Sequence, residues 1–148
     1  MSTTAADVTR FLEANRGASR FRIPSTPLEY ADLLQRGISV SVVDTVMAML
    51  GISRERLSTL LRISPSTLDR RLKARQDLAG AEADAIYRLL GVLGVAKRVL
   101  VTDDNIRSWF TRPQPGLDGR IPMELLENSA GAEAVTTLLE QIYHSIVP

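Results

Sequence analysis

Apolar residues recur every three or four positions over most of the chain, which is the spacing of amphipathic helices. No stretch shows sustained alternation of apolar and polar residues, so the pattern predicts an all-α fold. The candidate helices are a short one near 5–14, then 27–36, one ending before Gly51, one after Ser53, one opening at Pro65, a long one within 80–100, then 103–111, one opening at Pro122, and 132–145.

The ends of these segments carry residues that favour helix termini. Pro27 suits a first helical position, and Gly37 suits the position just past a helix end. Serine and threonine hydroxyls accept hydrogen bonds from the free amides of a first turn. The candidate N-caps of this kind are Ser39 or Ser41, Ser53, Ser64 and Thr102.

The segment 80–100 has the longest apolar periodicity and also contains Gly91 and Gly94. Each glycine costs about 1 kcal/mol relative to alanine inside a helix. Two explanations stay open: the helix bends there, or another element packs closely against its backbone. The apolar face of 86–100 is either a dimer interface or ordinary core.

Residues 53–75 have the features of a helix-turn-helix, in which the second of two short helices lies in the DNA major groove. Ser58 is small enough to let the two helices approach each other. Apolar residues at helical spacing predict the core between them: Leu57, Leu61, Ile63, Leu68 and Leu72. Arg62 occupies the turn position where glycine is usual because φ is positive, at a cost of roughly 1 kcal/mol.

The outer face of the second helix is the candidate DNA contact. On a helical wheel, Ser66, Arg70 and Lys73 lie opposite the apolar residues, with Asp69 beside them. First-turn hydroxyls and amides suit a phosphate, and arginines suit guanine edges or phosphates. The predicted DNA-binding residues are Arg62, Ser64, Ser66, Thr67, Arg70, Arg71 and Lys73. The alternative is a helical hairpin with a solvated basic face.

Charge is distributed unevenly along the 148 residues, although the formal net charge is only +1. Residues 52–75 contain seven basic and two acidic side chains, whereas residues 101–148 contain three basic and seven acidic ones. The basic segment suits a polyanion, and the acidic segment suits a different partner, which favours an adaptor or repressor over an enzyme.

The sequence lacks the residues that several kinds of chemistry require. There is no cysteine, no phosphate-binding loop and no catalytic motif, so no enzyme activity, cofactor or metal is implied. His144, the only histidine, has no carboxylate or cysteine at ligand spacing and is predicted to lie at a surface or interface.

No apolar run is long enough to cross a bilayer. The first residues lack the pattern of a secretory signal, so a cytoplasmic location is expected by default.

The acidic segment contains a tryptophan-anchored pattern: Trp109, Pro113, Leu117, Gly119, Pro122, Leu125, Leu126 and Gly131, followed by Val135, Leu138 and Ile142. Five of these are predicted to build the core of a small helical unit: Trp109, Pro113, Leu117, Gly119 and Pro122. With Asp84, Arg88 and Leu89 upstream, the pattern resembles the Xre/MbcA/ParS antitoxins over about residues 37–146.

The resemblance implies a type II antitoxin that binds a RES-domain toxin, typically an NAD⁺-consuming enzyme, and masks its active site. It also implies that the complex represses its own promoter through the helix-turn-helix. In the family the C-terminal end commonly lies at the toxin's active site, although this chain ends in 143–148 rather than in a glycine soon after the closing helix. The implied toxin-binding residues are Gln141, Tyr143, His144, Ser145, Ile146, Val147 and Pro148.

Three segments follow from these patterns: an N-terminal arm at 1–25, a helix-turn-helix domain with a long connecting helix at 26–100, and a toxin-binding domain at 101–148. The basic residues of the arm either add DNA contacts or belong to a disordered tail. A homodimer is expected, because symmetric operators call for one. The alternative function is a stand-alone helix-turn-helix repressor whose C-terminal module only dimerises.

Overall fold

A computed structural model of the protein describes residues 5–14 and 24–146, and over these residues the fold is all-α, as predicted. The helices are α1 Ala5–Ala14, α2 Pro27–Arg36, α3 Ser41–Leu50, α4 Arg54–Leu61, α5 Pro65–Ala74, α6 Ala81–Leu100, α7 Asp103–Phe110, α8 Pro122–Leu125 and α9 Ser129–Ile146, with a 3₁₀ turn at Pro115–Leu117. None of the helices within the described ranges is long and apolar enough to cross a membrane.

The central element is α6, which is buried over most of its length and is contacted by α1, α9, α7, α4 and α2. Its apolar face is therefore core within this chain rather than a free surface. Gly94 explains how one neighbour comes so close, because a Cβ at this position would overlap the backbone carbonyl of Asp7 in α1. Of the two explanations for a glycine here, close packing applies at Gly94.

The predicted N-terminal arm needs correction over its first helix. Val8 and Phe11 of α1 are fully buried, and α1 packs along α6. Residues 5–14 therefore belong to the core instead of a separate arm, since burial of these side chains stabilises the contact with α6. The remaining arginines predicted for the arm, at 16, 20 and 22, lie outside the described residues.

Hydroxyl side chains cap the first turns of α2, α4, α5 and α7. The hydroxyls of Thr26, Ser53, Ser64 and Thr102 each accept a hydrogen bond of 3.1 Å from the amide three residues later. The prediction of a serine cap for α3 was wrong. Its N-cap is Val40, which has no side-chain cap, while the Ser39 hydroxyl accepts from the Ser41 amide at 3.3 Å.

The last helix, α9, begins earlier than the start at position 132 that Gly131 led us to predict. Asn128 Oδ1 accepts a hydrogen bond of 2.8 Å from the Gly131 amide, so α9 starts at Ser129 and Gly131 lies in its first turn. A Cβ on Gly131 would overlap the carbonyl of Leu125. The glycine is therefore required for close contact with α8, and it does not mark the helix boundary.

The core of the C-terminal unit centres on Phe110 rather than on Trp109. Phe110 and Ile106 are fully buried, whereas Trp109 is only partly buried and meets the Phe110 ring edge-on at 5.1 Å between centroids. Among the other predicted core residues, Leu117 and Pro122 are buried, but Pro113 and Gly119 are exposed. Gly119 has φ +78°, so it serves the turn and not the core.

Candidate functional site

The helices α4 and α5 are short, are joined by a tight turn and pack against each other, as a helix-turn-helix requires. Leu57, Leu61 and Leu68 are buried between the helices and the rest of the core. Ser58 is buried beside them, and its hydroxyl donates a 2.6 Å hydrogen bond to the Glu55 carbonyl, which leaves no unpaired polar group in the contact. The small, satisfied side chain permits the close approach that the sequence predicted.

Arg62 makes the turn between these helices in a left-handed conformation, with φ 60° and ψ 39°. Its amide donates to the Thr59 carbonyl at 3.1 Å, and the Ile63 amide donates to the Ser58 carbonyl at 3.0 Å. These bonds close a Schellman motif without the usual glycine. Arg75 ends α5 in the same way, with φ 50°. Both arginine side chains are exposed, and Arg75 was absent from the predicted site.

The outer face of α5 is a shallow depression lined by Ser66, Asp69, Arg70, Lys73 and Ala74. Ser66, Arg70 and Lys73 are exposed, as the helical wheel placed them. Asp69 is partly exposed and pairs with Arg54 at the start of α4, with 3.3 Å between the carboxylate and guanidinium. The face therefore presents two cations together with one carboxylate that already has a partner.

Ser64 and Thr67 form the first turn of α5. The Ser64 hydroxyl, besides capping the Thr67 amide, lies 2.8 Å from the Thr67 hydroxyl and 3.2 Å from the Ser66 hydroxyl. Three hydroxyl groups thus cluster at the N-terminal end of the helix, where the backbone dipole favours an anion. The arrangement suits a phosphate contact next to the basic face.

Arg71 was predicted as a DNA contact, but its side chain lies elsewhere. Its Nε and Nη2 donate to the two carboxylate oxygens of Glu82 in α6, each at 2.7 Å. The side chains are only 19% and 14% exposed, respectively. Hydrogen bonding to Glu82 raises the pKa of the Arg71 guanidinium above its ordinary value. Arg71 is therefore committed to an internal ion pair and is not part of the exposed basic face.

The predicted toxin-binding residues lie in the last turns of α9. Residues 141–146 are helical, and Val147 and Pro148 lie outside the described residues. Gln141, His144, Ser145 and Ile146 are exposed. The His144 side chain is 74% exposed, as predicted, but a carboxylate does lie near it: Nε2 is 3.7 Å from a Glu140 oxygen, one helical turn away. This end of α9 therefore offers a mixed polar and apolar surface.

Tyr143 belongs to a cluster that the sequence did not predict. The Arg98 guanidinium of α6 lies 4.3 Å from the centre of the Tyr143 ring and also contacts the Glu140 carboxylate. A cation–π contact and an ion pair thus attach the end of α9 to the end of α6. No local signal could reveal it, because Arg98 and Glu140 are 42 positions apart.

No group of three or more potential ligands among residues 5–14 and 24–146 is arranged to hold a metal ion. The face of α5 carries cations and hydroxyls, and the end of α9 carries exposed side chains. Comparison with known proteins separates the roles of the two regions.

Residues 29–91 match the family model of the antitoxin Xre-like helix-turn-helix domain, and residues 96–144 match that of the antitoxin Xre/MbcA/ParS C-terminal toxin-binding domain. The chain belongs to the Xre/MbcA/ParS-type antitoxins. The antitoxin is similar to a curated protein, the Prs ADP-ribosylating antitoxin of Sphingobium sp. (strain YBL2), at 23% identity with 80% of each chain covered. The resemblance stated from the sequence is confirmed.

The matched domains meet inside one helix of the antitoxin. The helix-turn-helix match ends at residue 91 and the toxin-binding match begins at residue 96, both within the buried middle of α6. A continuous helix with a buried middle joins them without a flexible linker. The DNA-binding and toxin-binding units consequently share one hydrophobic core.

Proposed function

We propose that this antitoxin neutralises a RES-domain, NAD⁺-consuming toxin by covering its active site, and that the resulting complex represses its own operon. The observation that supports this most is the match of 96–144 to a toxin-binding domain joined to a helix-turn-helix with an exposed basic face. The relative's name associates it with ADP-ribosylation, a reaction that consumes NAD⁺. The antitoxin acts by binding and not by catalysis.

For operator DNA, the proposed contacts are the exposed Arg62, Ser66, Arg70 and Lys73, together with the hydroxyls of the first turn of α5. Arg70 and Lys73 project from the face that would enter the major groove, where they meet guanine edges or phosphates. Arg62 is exposed in the turn beside this face and contacts a phosphate. A homodimer presents two such faces to a symmetric operator.

For the toxin, the proposed contact is the segment 141–148, whose described part forms the exposed end of α9. Deleting Gln141–Pro148 removes these contacts while retaining the helix-turn-helix. We expect the truncated antitoxin to lose neutralisation of the adjacent gene product in co-expression growth assays. Normal growth of cells that carry the truncated antitoxin and the active toxin would contradict the masking mechanism.

The control for this deletion is operator binding by the same truncated protein in a gel-shift assay. Retained operator affinity shows that the shared core is still folded, so that lost neutralisation reports on the toxin contact alone. The alternative, a stand-alone repressor whose C-terminal module dimerises, predicts instead that the full-length protein leaves toxicity unchanged and that the deletion alters its oligomeric state.

A further inference from the structure

The chain leaves α6 through a strained turn at Val101. Its backbone has φ 73° and ψ −54°, and the Thr102 amide donates to the Leu100 carbonyl at 2.9 Å. These are the features of a classic γ-turn, which is rare in proteins. A β-branched residue with positive φ is a steric outlier, because its Cβ substituents crowd the backbone. Glycine would form this turn with less strain.

The Val101 side chain lies mostly outside the protein's own core. It is 64% exposed, although the apolar residues that precede it in α6 are buried or partly buried. The large apolar side chains exposed within the described residues are Leu28, Val101 and Ile146. Backbone strain in an exposed apolar residue suggests a contact outside the chain, since strain of this kind gathers at sites that hold a ligand.

The turn lies toward the same end of the molecule as the last turns of α9, because Arg98 contacts Glu140 and Tyr143. Asp84 and Ala132, near the first residues of α6 and α9, line the same groove, and Arg98 and Glu140 pair near the last residues. The two helices therefore run in the same direction, and the Arg98–Glu140 pair joins their C-terminal parts. Val101 follows Arg98 by three residues, which brings it to the same end of the molecule as Ile146, itself 68% exposed.

The turn is held in place from both sides. The Val101 amide donates to the Lys97 carbonyl at 3.1 Å, and Asn105 Nδ2 donates to the Leu100 carbonyl at 2.8 Å. Lys97 also pairs with Asp103 at 3.2 Å across the turn. These contacts hold the backbone at Val101 in place before any partner arrives, which lowers the entropic cost of binding.

We propose that Val101 is a toxin contact, and that it forms one docking surface with Ile146 at the joined ends of α6 and α9. This proposal rests on the proposed function and extends its interface beyond 141–148. The occupant is the toxin, which would present an apolar pocket at the rim of its active site. Both ends belong to or adjoin the matched toxin-binding region, and the acidic character of 101–148 disfavours DNA.

The deciding experiment measures the affinity of full-length variants for the purified product of the adjacent gene by isothermal titration calorimetry. Val101→Gly removes the side chain and relieves the turn, so we expect at least tenfold weaker binding with a melting temperature no lower than that of the wild type. Val101→Thr keeps the branched shape and the strain but makes the exposed surface more polar, and we expect several-fold weaker binding. Leu28→Ala is the control, because it shortens another largely exposed apolar side chain, on α2.

Wild-type affinity in both Val101 variants would overturn the docking surface while leaving the proposed function intact. A wild-type antitoxin that does not bind the adjacent gene product would overturn both proposals. Unchanged toxin affinity with a change of oligomeric state, measured by light scattering, would identify the surface as a contact between two copies of this chain and would also overturn the proposal.

Discussion

Arg71 and Glu82 join the helix that carries the basic face to the central helix through two parallel hydrogen bonds of 2.7 Å. A two-point contact between a guanidinium and a carboxylate fixes direction as well as distance. The orientation of α5 relative to α6 therefore depends on this pair. Because α6 continues into the toxin-binding region, the same helix positions both functional surfaces.

Removing one member of this pair should destabilise the fold. Arg71→Met leaves the largely buried Glu82 carboxylate without its partner, and we expect a loss of about 1–3 kcal/mol in the free energy of unfolding. Urea denaturation measures it. The control is Arg75→Met, which changes an exposed arginine at the end of the same helix. Equal losses for the two variants would show that the ion pair contributes nothing particular.

The exposed cations of α5 should determine DNA affinity without affecting stability. We expect Arg70→Ala combined with Lys73→Ala to weaken operator binding by roughly 10–100-fold and to reduce its dependence on salt concentration, because phosphate contacts release counterions. Gel shifts at several salt concentrations measure both effects. Arg36→Ala, at an exposed position on α2, is the matched control. Unchanged affinity in the double variant would contradict the assignment of this face.

Gly94→Ala should disrupt the contact between α1 and α6. The new methyl group would overlap the Asp7 carbonyl, and because that atom is backbone, the whole of α1 must move. We expect the free energy of unfolding to fall by about 1–3 kcal/mol, as in other overpacked cores. Gly116→Ala is the comparison, since its methyl group would meet only the flexible end of the Leu138 side chain. Thermal unfolding of both variants tests the difference, and equal melting temperatures would contradict it.

Two tyrosines, the buried Tyr87 and the partly buried Tyr30, should make the fold sensitive to alkaline pH. Burial, followed by the hydrogen bond of 2.6 Å to Asp84, raises the pKa of Tyr30 well above its ordinary value, and burial also raises the pKa of Tyr87. Below about pH 10 both the folded and the unfolded chain keep these protons. Above it the unfolded chain releases them while the folded chain retains them, so stability falls as pH rises.

Tyr30→Phe tests this pH dependence. The substitution removes one hydrogen bond, so we expect the free energy of unfolding at pH 8 to fall by about 1 kcal/mol. It also removes one titrating group, so we expect stability to decline less steeply between about pH 9.5 and 11, a range around the ordinary tyrosine pKa of about 10. Urea unfolding at constant ionic strength measures both quantities. An unchanged slope in the variant would show that Tyr30 does not contribute to the alkaline sensitivity.

Local features of the fold could be predicted because their causes lie close together in the sequence. Ser64 caps α5 through an amide three residues away, and Arg62 makes its left-handed turn with carbonyls of the preceding helix. The exposed face of α5 follows from helical periodicity in the same way. Failures at this level, such as the absent serine cap of α3, arose where several neighbouring residues suited the same role.

The sequence by itself thus determined the all-α class, most helix boundaries, the basic face of α5 and the family, since these depend on spacing over a few residues or on a matched pattern. Only the tertiary structure decided that α1 belongs to the core, that Arg71 binds Glu82, that Phe110 is more deeply buried than Trp109, and that Val101 is exposed at the end of α6. Each of these depends on which helices pack against α6. Helix packing joins residues far apart in the chain, and periodicity within one helix carries no information about its partner.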